Sequence, residues 1–172
     1  MKKITRKHAI DIFYHLGSMA LGHMDEKTLT VVIDNCEKAH KVQEDFQKLS
    51  EELSKRLYEG MDEEKKKEYF EIVDKYQKAN AEDKKDYEAL MDANYHDFYV
   101  LYKKHIAVLQ AMQDKEIEID FAEVDKKEFI TGVLLGKNRI SVNEMEYVFA
   151  PMFKATEKKE ADISELDELL KD

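Results

Sequence analysis

The stretch DEKTLTVVIDNCEKAHKVQEDFQKLSEELSKRLYEG, residues 25–60, contains one backbone breaker, the glycine at its end. Within it Leu29, Val32, Cys36, Ala39, Gln43, Phe46, Ser50, Leu53 and Leu57 follow alternating steps of three and four residues. That spacing gathers side chains on one narrow stripe of an α-helix, here interrupted by the polar Gln43 and Ser50. Asp25 is placed to cap the helix start, and Gly60 closes it. The reading predicts one helix of about 34 residues, roughly 50 Å long at the standard rise.

A second long stripe runs from about 83 to 112, through Tyr87, Met91, Asn94, Phe98, Leu101, His105, Val108 and Met112. Between the two rods a shorter helix opens at Asp62, with acids in its first turn as the helix dipole favours. Tyr69, Phe70, Ile72, Val73 and Tyr76 make its apolar face, and the pattern breaks near Asn80. Ahead of the first rod, residues 5–21 carry Ile10, Phe13, Tyr14, Ala20 and Leu21 at helical spacing, with Thr5 as N-cap and Gly22 at the C-cap. Two rods of matching length around a shorter helix predict an elongated antiparallel hairpin or bundle spanning residues 1–113.

The pattern changes at residue 115. Glu116 to Val124 alternates charged and apolar residues with period two, the signature of a short strand, which needs an edge from the N-terminus or a second subunit. Two capping-box patterns follow, at Asp125–Glu128 and Ser141–Glu144. The first opens a helix with Phe129, Val133 and Leu134, stopped by Gly136. The second opens one with Met145, Val148, Phe149 and Met152, kinked or ended by Pro151. Residues 114–153 are thus an extended segment plus a compact helix-turn-helix, and 154–172 an acidic amphipathic tail bearing Ile163, Leu166, Leu169 and Leu170. The fold class expected is all-α with at most one short strand. One proline and five glycines in 172 residues leave too few turns for a sandwich or barrel.

The net charge of −10 argues against sequence-independent nucleic-acid binding, which needs Lys and Arg to replace condensed counterions, and equally against anionic membranes. It suits a basic surface on another protein, or simply solubility. The single cysteine, Cys36, excludes an intrachain disulfide framework and multi-cysteine metal sites, and its stripe position reads as a small buried hydrophobe. The basic start is followed by Asp11, His15 and His23, so no clean signal-peptide core forms. No run reaches membrane-spanning length, and a cytoplasmic protein is expected.

Glu37 and His40 stand three apart on the long helix, a spacing that carboxylate-bridged metal proteins of bundle type use twice, with further carboxylates from two other helices. Here the other rod offers only Asp92 and His96, four apart, and ordinary solvated helix surface is the simpler reading. His8 and His15 share a face of the first helix without a third ligand. His105 and Asn94 on the second stripe fit polar residues that set register. No zinc-protease, nucleophile-elbow or phosphate-loop motif occurs. No catalytic residue, metal or cofactor is assigned, and the chain is expected not to be an enzyme.

The helix-turn-helix lacks the reading side chains of a DNA binder: its second helix carries Asn143 but also Glu144 and Glu146, and only Lys137, Asn138 and Arg139 in the turn are suitable. Tyr95, Tyr99 and Tyr102 crowd one part of the second rod. Either they form an aromatic strip for a partner or they pack against the first or third helix. The candidate partner-binding residues are these three tyrosines, Glu144, Glu146, Ile163, Leu166 and Leu170.

Residues 4–60, an apolar helix leading into a long charged one, and Ile117–Val124 leading into Phe129, Ile130 and the Ser141–Phe153 helix together resemble small uncharacterised helical proteins encoded by tailed bacteriophages and prophages. The likeness is one of layout, without an invariant motif, and the tyrosine-rich middle departs from it. It implies a phage-encoded accessory protein acting inside the bacterial cell or in virion assembly. The function expected is a non-enzymatic protein-binding module whose acidic surface occupies a basic site, such as that of a nucleic-acid-handling host or defence protein. The alternatives are an assembly protein that forms homo-oligomers through its long helices and, behind it, a carboxylate-bridged metal enzyme.

Overall fold

The structure, a computed structural model, describes residues 1–154. The chain runs β1 (Lys2–Thr5), α1 (Arg6–Gly17), α2 (Glu26–Leu57), α3 (Glu63–Lys78), α4 (Ala81–Asn94), α5 (His96–Asp114), β2 (Glu116–Ile119) and α6 (Lys126–Leu135). A π turn (Glu144–Val148) and a 3-10 turn (Ala150–Met152) follow. The all-α class holds, with one small antiparallel sheet. No helix among the described residues is long and apolar enough to cross a membrane.

The first rod is continuous for 32 residues, and Asp25 caps it by accepting from the Thr28 amide at 3.0 Å. Its buried positions are Thr28, Val32, Asn35 and Ala39, so only its first half is deeply covered. The second rod is not continuous. It breaks at Tyr95 (φ −137°, ψ 39°), between α4 and α5. Neither Gly nor Pro stands there. The Tyr95 amide still closes the last turn of α4 on Met91, at 2.9 Å, and the Tyr95 carbonyl starts α5 by accepting from Tyr99. At the break the Tyr95 ring lies 6.0 Å from Tyr69, and its hydroxyl donates to Glu68 at 3.0 Å. An aromatic contact and a charge-assisted hydrogen bond together offset the helical bonds given up.

The strand expected at 116 finds its edge in the N-terminus. Ile4 opposes Ile117 and Lys2 opposes Ile119, which sends Ile4 and Ile119 inward; Lys3 opposes Glu118 on the outer face. A two-stranded sheet is marginal by itself. Here α1 begins at the next residue, and Arg6 ties the sheet to α5 by donating to the Met112 carbonyl at 2.7 Å.

Two apolar cores result. The larger joins Ile12 and Leu16 of α1, Val32 and Ala39 of α2, Ile119, Phe121, Phe129, Val133, Phe149 and Met152. It draws on both sides of residue 113, the boundary expected from sequence. Phe129 lies 5.2 Å from Phe149 and 5.5 Å from Phe153. The smaller core gathers Tyr58, Tyr69, Val73, Met91, Phe98 and Tyr99 from the end of α2 and from α3, α4 and α5.

Several local expectations change. α1 ends at Gly17 with Ser18 as cap, and its buried face is Ala9, Ile12 and Leu16, leaving Tyr14 58% exposed. Leu134 is 58% exposed instead of buried; Gly132 and Val133 face the core in its place. Asp125 caps α6 through two amides, but Glu128 does not reach back to it and instead accepts from Thr28 Oγ1 at 3.2 Å. The left-handed residue past α6 is Lys137 (φ 56°), not Gly136. Gly136 is required for another reason: a Cβ there would stand 2.2 Å from the Ala20 carbonyl oxygen. That close approach lets Asn138 bond both backbone groups of Ala20, at 2.8 and 3.0 Å. The reciprocal box at Ser141 and Glu144 forms as read, but the turn it opens is a π turn, closed by Phe149 donating to the Glu144 carbonyl at 3.1 Å.

Candidate partner-binding surface

The tyrosines of α3 and α5 sit where they do because Phe98, Tyr99 and Tyr102 recur at helical spacing and meet Tyr69 and Val73 on α3. Tyr69 is fully buried and stacks on Phe98 at 5.5 Å, with Tyr102 edge-on at 6.2 Å. Tyr58, brought in from the end of α2, meets Phe70 at 5.2 Å and His105 at 6.0 Å. Tyr99 is buried, and Lys103 lies 3.9 Å over its ring, a cation–π contact. Tyr95 and Tyr102 are half-buried against the same cluster. All three tyrosines of the expected strip therefore pack on α3, with only Tyr95 and Tyr102 offering surface.

This core carries polar atoms without partners. Tyr58 Oη, Tyr69 Oη and His105 Nε2 are buried and bond to nothing among the described residues. Burial pushes the Tyr58 phenol up to about 12, raises that of Tyr69 further still, and lowers the imidazole of His105. At the rim the hydroxyls do find acceptors: Tyr76 donates to Glu88 at 2.9 Å and Tyr95 to Glu68, and both phenols are raised by those bonds.

The helices around the aromatic core carry half of the chain's net charge of −10. Residues 41–96 hold sixteen Asp and Glu against eleven Lys and Arg, and every one of those acids except Glu88 is exposed. Glu52, Glu63 and Asp74 pair with a lysine or arginine one helical turn away. Glu59, Glu64, Glu71, Glu82 and Asp86 have no ion-pair partner among the described residues. Exposed pairs at this spacing contribute only tenths of a kcal/mol, so the paired acids also remain available.

The other candidate residues lie elsewhere. Glu144 accepts from the Ser141 amide at 2.6 Å and stands 3.2 Å from His15 Nδ1. Its carboxyl is held low by the Ser141 hydroxyl, then by the Ser141 backbone. Glu146 pairs with Lys126 on the surface. Ile163, Leu166 and Leu170 lie outside the described residues.

The histidines serve packing. His8 Nε2 bonds the Val148 carbonyl at 2.9 Å, so His8 and His15, one above the other on α1, both grip the π turn. His40 stacks on Phe13 at 4.5 Å with its Nε2 4.0 Å from Glu44, and His96 bonds Asp92 at 2.9 Å. No three His, Cys, Asp or Glu side chains among the described residues are grouped to hold a metal. Cys36 is half-buried with its thiol pushed up by that burial, which suppresses the nucleophilic thiolate.

Sequence reasoning missed Asn35. It is fully buried, and its amide donates to and accepts from the backbone of Ala122, both at 2.8 Å. It stands beside the stripe read from periodicity; a lone Asn amid Val32, Ile33, Cys36 and Ala39 was the signal. Comparison with known protein families, characterised proteins and solved structures finds no match to this chain.

Proposed function

We propose that the protein is a non-enzymatic binding module that presents the acidic shell of α2–α4 to a basic site on another protein. The observation that carries the reading is the placement of charge: fifteen exposed carboxylates stand on helices that one small aromatic core holds in place. Fixed charge on rigid helices costs little ordering entropy on association, and it steers a basic partner into register. A protein that handles nucleic acid offers such a basic site, and the phage-like layout of the chain suits a role in occupying it.

The test is capture from bacterial lysate by the immobilised chain in low and in high salt. Partners retained in low salt and released as the Debye length shrinks from about 10 Å towards about 3 Å support the reading. A partner set held equally in both removes its electrostatic basis.

A further inference from the structure

Beside the buried tyrosines, α3, α4 and α5 enclose an open groove of about 580 Å³, within the range of small-molecule sites. Its walls are apolar or aromatic: Tyr76, Met91, Tyr99, Tyr102 and Ile106. Two charged groups reach it. Glu88 already accepts from the Tyr76 hydroxyl at 2.9 Å. Lys103 has no carboxylate within 4.0 Å among the described residues and rests on the Tyr99 ring.

We propose that this groove binds a small aromatic carboxylate. The ring lies among Tyr99, Tyr102, Met91 and Ile106, where offset or edge-on aromatic contacts are available. The carboxylate takes Lys103 off the Tyr99 face and into a charge-assisted hydrogen bond. The anion is placed by Lys103, which has no carboxylate partner among the described residues, while the Tyr76 hydroxyl holds Glu88 by one hydrogen bond. The site shares α3 and α4 with the acidic surface proposed above but does not depend on that reading.

The test titrates benzoate and indole-3-acetate, each beside its neutral amide, into the full chain while tyrosine ring resonances are followed by NMR. Saturable shifts of Tyr99 and Tyr102 are expected, with the acids binding about tenfold more tightly than the amides, about 1.4 kcal/mol. Lys103→Ala brings the acids down to the level of the amides without moving the amides, and Lys103→Arg restores the difference. Ile106→Trp, at a half-exposed position that tolerates a larger side chain, fills the groove and abolishes both. Absence of saturation, equal binding of acid and amide, or acid binding unchanged in Lys103→Ala would each overturn the proposal.

Discussion

Raising the pH from 10 to 12 is expected to unfold the protein, with two of its nine tyrosines ionising only as it does. Tyr58 and Tyr69 are 3% and 0% exposed, and each hydroxyl is buried without an acceptor. Ionisation would place a phenolate in an apolar core, so the folded state keeps both protons after the unfolded chain has lost them. A group whose folded pKa is raised contributes stability that is complete below its unfolded value, near 10, and is lost as the pH climbs to the folded one, about 12 for Tyr58. A shift of about two units corresponds to roughly 3 kcal/mol for Tyr58, and Tyr69, shifted further the same way, adds to it. For a total stability at the lower end of the usual range of about 5–15 kcal/mol, that loss ends the folded state. Phenolate absorbance and circular dichroism, followed together, should show two late tyrosines titrating with loss of helix. Tyr58→Phe and Tyr69→Phe should move the transition to higher pH without loss of stability at neutral pH, because each removes an unpaired polar group. Nine tyrosines titrating near pH 10 with the helix signal intact would contradict the buried core.

Asn35→Leu is the second large effect. The Asn35 amide satisfies both backbone groups of Ala122, at 2.8 Å each, and so fixes the connection between β2 and α6 onto α2. Leucine matches the volume but leaves the N–H and C=O of half-buried Ala122 without their partner, each costing about 1–3 kcal/mol where water does not replace it. A loss of about 2–5 kcal/mol is expected, read as a lower urea midpoint at unchanged slope. Asn35→Asp should cost more at neutral pH, where it buries a charge that cannot donate, and should recover in part in acid. A change below about 1 kcal/mol in Asn35→Leu would show that Ala122 is held by other means.

The caps at Thr5, Asp25 and Ser141 were legible because each is a local signal: one side-chain oxygen a fixed number of residues before an amide. The long first rod was legible for the same reason. What periodicity could not supply was decided by tertiary contact. The break at Tyr95 has no Gly or Pro to announce it and depends on Glu68 and Tyr69, residues of another helix. The partner strand of β2 begins at Lys2, far away in sequence, and a four-residue run before a helix carries no strand signal of its own. Leu134 satisfies helical spacing, but α6 presents Gly132 instead, with Met24 seated against it. In the candidate surface, composition gave the acidic charge but not its place: the expected Glu144 and Glu146 stand in the π turn, not on α2–α4. The burial of the tyrosines depended on α3, whose packing no single-helix pattern encodes.

The most direct test of the acidic-surface proposal reverses charge in place. A chain with Glu64, Glu71, Glu82 and Asp86 changed to lysine is compared with one bearing as many reversals at Asp114, Glu116, Glu118 and Asp120. All eight positions are exposed. Binding to a partner captured in low salt is then measured at one ionic strength, after circular dichroism has established that both variants are folded. Loss of at least about tenfold in affinity in the first variant alone, about 1.4 kcal/mol, is the predicted result. Equal affinity in the two variants would contradict the placement of the binding surface on α3 and α4.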